Sequence, residues 1–271
     1  MGNSELSSLK YNNEEHIYKF FKWKHLQLIL TNKKLRLERT ESWERVVEKD
    51  GDVYENCVFN SLYKPDSTLK KSNVYGQSWT FNQSSDAMWR IYSKIPLEGL
   101  SINNLQDTAI KVKTTIPKLK EVINKPISDI ECEKYAYMGK VKYMGPKSFK
   151  KWLNEPEKDH LIKSLFVKRW AYAHENEYRI IVCIDNNDAE SYEHIEFDID
   201  TDYIFDRFFL DPRLTSVQQE EFTDYLVNSL NISKDKIDKS SLYTFKNKLT
   251  KDLHLKWNRP NMPVTMIEWD K

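Results

Sequence analysis

Glu175, Glu177 and Arg179, within the stretch RWAYAHENEYRIIVCI at 169–184, have the residue types and the spacing of a reactive site. The stretch ends in an apolar run, RIIVCI, that reads as a buried strand, and the three charges stand at its mouth. In an extended chain, side chains two apart share a face, so two carboxylates and a guanidinium line up together. Paired carboxylates on a strand face can orient a sugar hydroxyl, stabilise an oxocarbenium-like centre or deprotonate an incoming nucleophile. The plainer alternative is an exposed ion pair at a strand entrance, worth about 0–1 kcal/mol.

Two further groups carry chemistry. In SWTFNQSSDAMWRIY, Trp79, Trp89 and Tyr92 gather at one strand–helix junction, with Trp89 and Tyr92 on one helix face. Aromatic rings beside a polar loop can stack on a nicotinamide or a base, although core filling is the default for any single ring. Lys140, Lys142, Lys147, Lys150 and Lys151, interleaved with Tyr143, Phe149 and Trp152, form a basic aromatic patch suited to single-stranded nucleic acid. A solvated lysine face is the alternative there.

Other chemistries are excluded by what the sequence lacks. It has no GxGxxG or Walker loop, and only 6 glycines with which to cradle a phosphate. The six histidines form no HxxxH or HxH pair, so no metal is expected. There is no GxSxG elbow. Cys57, Cys132 and Cys183 are odd in number and far apart, which excludes a disulfide scaffold and fits a reducing cytosol. With 42 basic against 41 acidic residues, no global field draws the chain to nucleic acid or anionic lipid. No apolar run reaches the roughly 18 residues of a membrane span, and the polar start lacks a signal peptide's apolar segment. The start MGNSEL has Leu6 where a myristoylation signal wants Ser or Thr. A cytoplasmic protein without a membrane partner is expected.

The elements that must position these groups are read from periodicity. Residues 1–15 are polar and expected to form a flexible N-terminus, followed by one domain over 16–271 whose last part, 244–271, is a basic and aromatic extension. HIYKFF reads as a strand, and Leu26, Ile29 and Leu30 give the next segment a helix face. LRLER and YGQSWTFN read as strands, SSDAMWRIYS as a helix capped by Ser84 or Ser85, and residues 40–75 as loops with a short helix. A short LSI strand is expected after Gly99, then a weakly amphipathic segment over 103–130 interrupted by Pro117 and Pro126. EKYAYMGKVKYM alternates as a strand up to Gly145-Pro146. NEPEKDHLIKSLFVKR is expected to be a helix with Pro156 in its first turn and Leu161, Ile162, Leu165 and Phe166 on one face. HIEFDID and YIFDRFFL read as strands. TSVQQEEFTDYLVNSL reads as a helix with a Ser216–Gln219 capping box and an apolar face of Phe222, Tyr225, Leu226 and Leu230. LHLKW and VTMIEW are candidate edge strands. The pattern predicts one α+β domain with a mostly antiparallel sheet and flanking helices.

The order of IYKF at 17–20, KLRL at 34–37, SWTFNQSSDAMWRIYSKIPLEG at 78–99 and KRWAYAHENEYR at 168–179 resembles a bacterial family catalogued as a domain of unknown function. The late FFLDPRLTSVQQEEF and KSSLY also look like its features, so the resemblance runs from about 17 to 243. That motif order is in turn similar to the ADP-ribosyltransferase fold, which implies a split sheet. It also implies NAD as co-substrate, with Glu177, or else Glu175, holding the 2′-hydroxyl of the nicotinamide ribose and the other activating the acceptor. By the same resemblance Tyr18 and Lys19 would lie near the dinucleotide's ribose or phosphates. Trp79, Trp89 and Tyr92 would surround the nicotinamide, and Arg179 would fix a carboxylate or a phosphate. The chain departs from better-known members in carrying Lys19 where they carry Arg or His, and in lacking a Ser-Thr-Ser triplet. The resemblance implies a bacterial toxin or antiviral effector with a macromolecular acceptor and an inhibitor (antitoxin) protein as partner; the acceptor is open, and the basic aromatic patch slightly favours RNA or DNA over protein. The alternatives are a metal-dependent nuclease, which E-x-E-x-R loosely suggests, and a non-catalytic nucleotide-sensing module.

Overall fold

The computed structural model describes residues 15–46, 53–55, 73–95, 102–154, 159–185 and 192–243. It opens with β1 (His16–Lys22), α1 (Trp23–Asn32) and β2 (Lys34–Arg39), the helix ending on Lys33 in the left-handed region at φ 53°. A ribbon of β3 (Glu44–Val46) and β4 (Val53–Glu55) precedes β5 (Val74–Thr80). Next come α2 (Asp86–Tyr92), β6 (Ala109–Thr115), α3 (Ile116–Asn124), β7 (Glu133–Lys140) and β8 (Lys142–Met144). Then follow α4 (Pro146–Asn154), α5 (His160–Ser164), β9 (Val167–Arg169) and β10 (Glu177–Asp185). The last elements are β11 (His194–Asp198), α6 (Thr201–Ile204), β12 (Arg207–Leu210), α7 (Ser216–Asn228) and β13 (Ile237–Lys239).

Among the described residues, nine strands form one sheet of an α+β fold in the order β11-β2-β5-β1-β6-β12-β13, with β10 and then β7 added beyond β5. Within it only β12–β13 is parallel; the remaining pairings are antiparallel. Strand β10 pairs with β5 from Val74 to Thr80, so β1 and β2 must share the other edge of β5. They do so at opposite ends: β2 meets Tyr75 and Gly76, and β1 meets Thr80. The sheet therefore parts between β1 and β2.

Helices α1, α3 and α7 cover one face. Leu26, Ile29 and Leu30, then Leu119, Val122 and Ile123, then Phe222 and Leu226 pack with Ile17, Tyr75, Trp79, Ile180 and Val182 in the main core. Each large apolar side chain buried this way stabilises the fold by about 1.5–3 kcal/mol, which is why period-3.6 helices settle on period-2 strands. The opposite face carries smaller clusters, Val74, Ile181 and Cys183 with Leu165, and Phe20 and Ala109 with Met88 and Trp89.

Several expectations are corrected. The segment read as weakly amphipathic contains the central strand β6, AIKVKTT, whose lysines mask its alternation. Lys111 there is 3% exposed, its ammonium 4.3 Å from the centre of the Phe209 ring and donating to Gln83 O at 2.5 Å. Ile102 begins a 3-10 turn rather than continuing a strand. Of the helix expected over 154–169, residues 155–158 with Pro156 lie outside the described residues; among those described, α5 spans His160–Ser164, and Leu165 and Phe166 lead out of it into β9, while α4 forms within the basic patch. YIFDRFFL divides, because Asp200 caps a helical turn by accepting from Asp202 N and Tyr203 N, and strand β12 starts only at Arg207. The capping box of α7 falls one residue early, on Thr215 and Gln218. The expected N-terminus, most of 40–75, LHLKW, VTMIEW and the 244–271 extension lie outside the described residues. Among the described residues, no helix is long and apolar enough to cross a membrane.

Candidate active site

Strand β10 is buried along eight of its nine residues, so every polar group on it needs a partner. Glu177 and Arg179 sit opposite Thr80 and Ser78 of β5, on one face; Tyr178 sits opposite Trp79, on the other. Glu175 is not on the strand. It ends a 3-10 turn, Trp170–Glu175, and Asn176 at φ 45° turns the chain into β10, a left-handed conformation that Asn tolerates better than most residues. The turn is fastened by Thr80 Oγ1 donating to Glu175 O at 2.6 Å and by Asn82 Nδ2 donating to His174 O at 2.7 Å. Glu177 N donates to the Tyr143 hydroxyl at 2.8 Å.

The two carboxylates are bridged by Lys168 of β9, whose side chain is 5% exposed; its Nζ donates to Glu177 Oε1 at 2.6 Å and to Glu175 Oε2. Arg179, 1% exposed, donates through Nε to Glu177 Oε2 at 2.8 Å and through Nη1 to Leu165 O at 2.6 Å. Its guanidinium lies 5.0 Å from the centre of a Trp43 ring. Gly76 makes room for that indole: a Cβ there would meet Trp43 at 2.7 Å and Ile181 at 2.9 Å.

Environment drives the two acids apart. Burial opposes the charge of Glu177, but Arg179, a hydrogen bond from Glu175 and Lys168 outweigh it and hold this carboxyl well below its usual range. Burial and the neighbouring Glu177 push Glu175 up to about 7, against the pull of Lys168. Near neutrality one acid is a fixed anion and the other is poised to take or give a proton, the division of labour found wherever paired carboxyls do acid–base work.

This pair opens onto a cleft of about 650 Å³ at the parting of the sheet. Side chains span the parting where the backbone does not. Lys19 Nζ donates to Ser78 O at 2.7 Å, and Gln77 Nε2 donates to Arg36 O at 2.9 Å. Burial lowers Lys19 to about 8, partly offset by Glu177 and Glu38. Tyr92 keeps 36% of its surface exposed and stacks on Phe20, centroids 6.1 Å apart and planes 23° apart. Burial raises its phenol, and Glu175 and Glu177 raise it further.

Glu175, Glu177, Arg179, Tyr18, Lys19, Trp79 and Tyr92 all line this cleft; Trp89 does not. Trp89 is fully buried behind Phe20, which it meets edge-on at 4.8 Å. Trp79 lines the cleft from the main-core side, its indole N–H donating to Gln77 Oε1 at 2.8 Å. Tyr18 and Lys19, as neighbours on a strand, point to opposite faces. Sequence reasoning gave no role to Lys168, Ser78, Thr80 or Trp43, and it placed Tyr143 in the basic aromatic patch rather than beside the carboxylates. The two-residue spacing of Ser78 and Thr80 was a usable signal, since it places both on one strand face. Lys168 opens the KRWAYAHENEYR segment that carries the resemblance, but no role was drawn for it; its approach to the carboxylates comes with the β8–β9 pairing. Among the described residues, no three His, Cys, Asp or Glu side chains gather where a metal ion would be held. No family model, no curated protein and no solved structure matches the chain.

Proposed function

We propose that the protein is an ADP-ribosyltransferase that cleaves NAD and transfers ADP-ribose to a macromolecular acceptor, acting as a bacterial toxin or antiviral effector restrained by an inhibitor protein. The observation that carries this reading is the pair of carboxyls shifted in opposite directions on the wall of a cleft where the sheet parts. The cleft's roughly 650 Å³ falls within the 300–1,000 Å³ of small-molecule and cofactor sites. Its lining suits a dinucleotide, with the Phe20–Tyr92 stack to receive a planar ring and Lys19, Lys34 and Arg36 to meet phosphates.

Breaking the bond between ribose C1′ and the nicotinamide nitrogen builds positive charge at C1′, and nicotinamide leaves with the bonding pair. A fixed anion stabilises that charge more in the transition state than in the ground state. Glu177 is the group suited to it, because Arg179 and Lys168 keep it ionised and hold its orientation. Glu175, near 7, is matched to accept the proton of the acceptor nucleophile as its bond to C1′ forms. Burial of the pair limits competing attack by water.

Incubation of the pure protein with adenine-labelled NAD and a lysate tests this. Released nicotinamide should match label in a macromolecule, and separate nuclease and protease digestion identifies which. NAD uptake without turnover would support the sensing alternative. Magnesium-dependent strand cleavage without nicotinamide release would replace the transferase with a nuclease.

A further inference from the structure

The segment that delivers Lys168 to the carboxylates has a second property. Between 140 and 170 the sequence carries nine Lys or Arg against three Asp or Glu, in a chain of net charge +1, so positive charge is concentrated here. Strands β8 and β9 run parallel, with Met144 opposite Arg169, and therefore both leave the pair at the same end. Strand β8 leaves into α4, and β9 leaves into the Trp170–Glu175 turn. Helix α4 packs Phe149, Trp152 and Leu153 on Met144 and Val167, which leaves Lys147, Lys150 and Lys151 exposed at i, i+3 and i+4. At the start of the turn, Trp170 is 66% exposed, beside exposed Arg169.

An indole held in water beside Arg169, at the end of the strand pair from which the lysine-bearing helix also departs, gains little from packing. It is well suited to a flat, polarisable, anionic partner, and the bases and phosphates of a single strand provide both. An acidic protein surface would satisfy the lysines and would also bury an indole, so competition by polyglutamate is what separates it from a strand. We infer that single-stranded nucleic acid docks on α4 and Trp170, with phosphates along Lys147, Lys150 and Lys151 and a base stacked on Trp170. The same module touches the reactive pair through Tyr143, which accepts from Glu177 N, and Lys168, which bridges both carboxylates. A strand held there is presented to Glu175. The role of that strand as acceptor rests on the transferase reading; its docking does not.

Fluorescence anisotropy with labelled oligo(dT) and oligo(U) of about 15 nucleotides, run against a duplex and polyglutamate over a salt series, tests the inference. Single strands should bind more tightly than duplex, and polyglutamate should not compete. Trp170→Ala should weaken binding about 10-fold or more, and Trp170→Phe, which keeps a stacking face, should restore most of it. Replacing Lys147, Lys150 and Lys151 together with Gln should flatten the salt dependence by about two phosphate contacts' worth of slope or more. Unchanged affinity in both sets of variants overturns the inference, as does equal binding of duplex or effective competition by polyglutamate, which would point to an acidic protein partner. Calorimetric titration of the wild-type protein with NAD reports separately on the cleft. Strand binding without NAD uptake would leave the docking face standing and remove the transferase.

Discussion

Glu175 and Glu177 are separated by one residue, yet the fold gives them opposite proton affinities, and this yields separate predictions. Because Glu175 is raised in the folded chain, the native state holds its proton more tightly than the unfolded state does. Its contribution to stability is complete below the unfolded value of 4.5 and is lost as pH rises through about 7. Urea melts at pH 5 and pH 8 should therefore show the wild type losing stability relative to Glu175→Gln, which stays neutral throughout. On the proposed function, the same variant cannot accept a proton, so transfer should slow by about 100-fold or more while NAD affinity persists. Nicotinamide release and calorimetry check the two halves. Glu177→Gln is a harsher change, since it leaves buried Arg179 and Lys168 short of a counter-charge. It should lose about 3–5 kcal/mol of stability as well as activity. A stable and active Glu177→Gln protein would remove that residue from the chemistry.

At the scale of elements, the site depends on β5 and on what passes over it. Gly76→Ala places a methyl group against the rigid indole of Trp43 and the terminal methyl of Ile181, of which only the second can rotate aside, and should destabilise by about 1–3 kcal/mol in urea melts. Displacing Trp43 also unseats Arg179, so catalysis should fall by more than the fold loosens. Helix α2 presents Tyr92 to the cleft and Trp89 to the core from one short stretch. Tyr92→Phe keeps the stack on Phe20 and should change stability by about 1 kcal/mol or less while weakening NAD binding. Trp89→Ala should cost about 3–5 kcal/mol whatever the function, because it empties a filled space. Paired urea melts and NAD titrations of the two variants separate a cleft residue from a core residue.

The whole molecule contributes the parting of the sheet. Along one edge, strand β5 pairs with β2 at Tyr75 and Gly76 and with β1 at Thr80, and the cleft is the space left between them where neither pairs. On the proposed function, expression in bacteria should deplete cellular NAD and arrest growth. Replacing Glu175 and Glu177 together should abolish both effects. Arrest that persists in the double variant would mean that toxicity has another source.

What the sequence determined by itself was whatever is written in local periodicity. HIYKFF, LRLER, YGQSWTFN and HIEFDID are strands, and α1 and α7 are helices, because apolar spacing of 2 or 3.6 residues sorts each segment's faces without reference to its neighbours. Two members of the charged trio were legible for the same reason: Glu177 and Arg179 do share a strand face, whereas Glu175 lies in the turn before it. Periodicity failed where charge interrupted it. The lysines of β6 are tolerated only because aromatic rings and the Gln83 carbonyl surround one of them, an arrangement no local window contains. Tertiary structure alone decided that Glu175 leaves the strand, that Lys168 bridges the acids, that Ser78 and Thr80 face them and that Trp89 is core. Those outcomes depend on which strands are neighbours and in what register, and burial of apolar surface across the whole sheet selects both. Proton affinity follows from the same assembly, because it is set by the charges and the dryness that distant segments bring to a carboxyl.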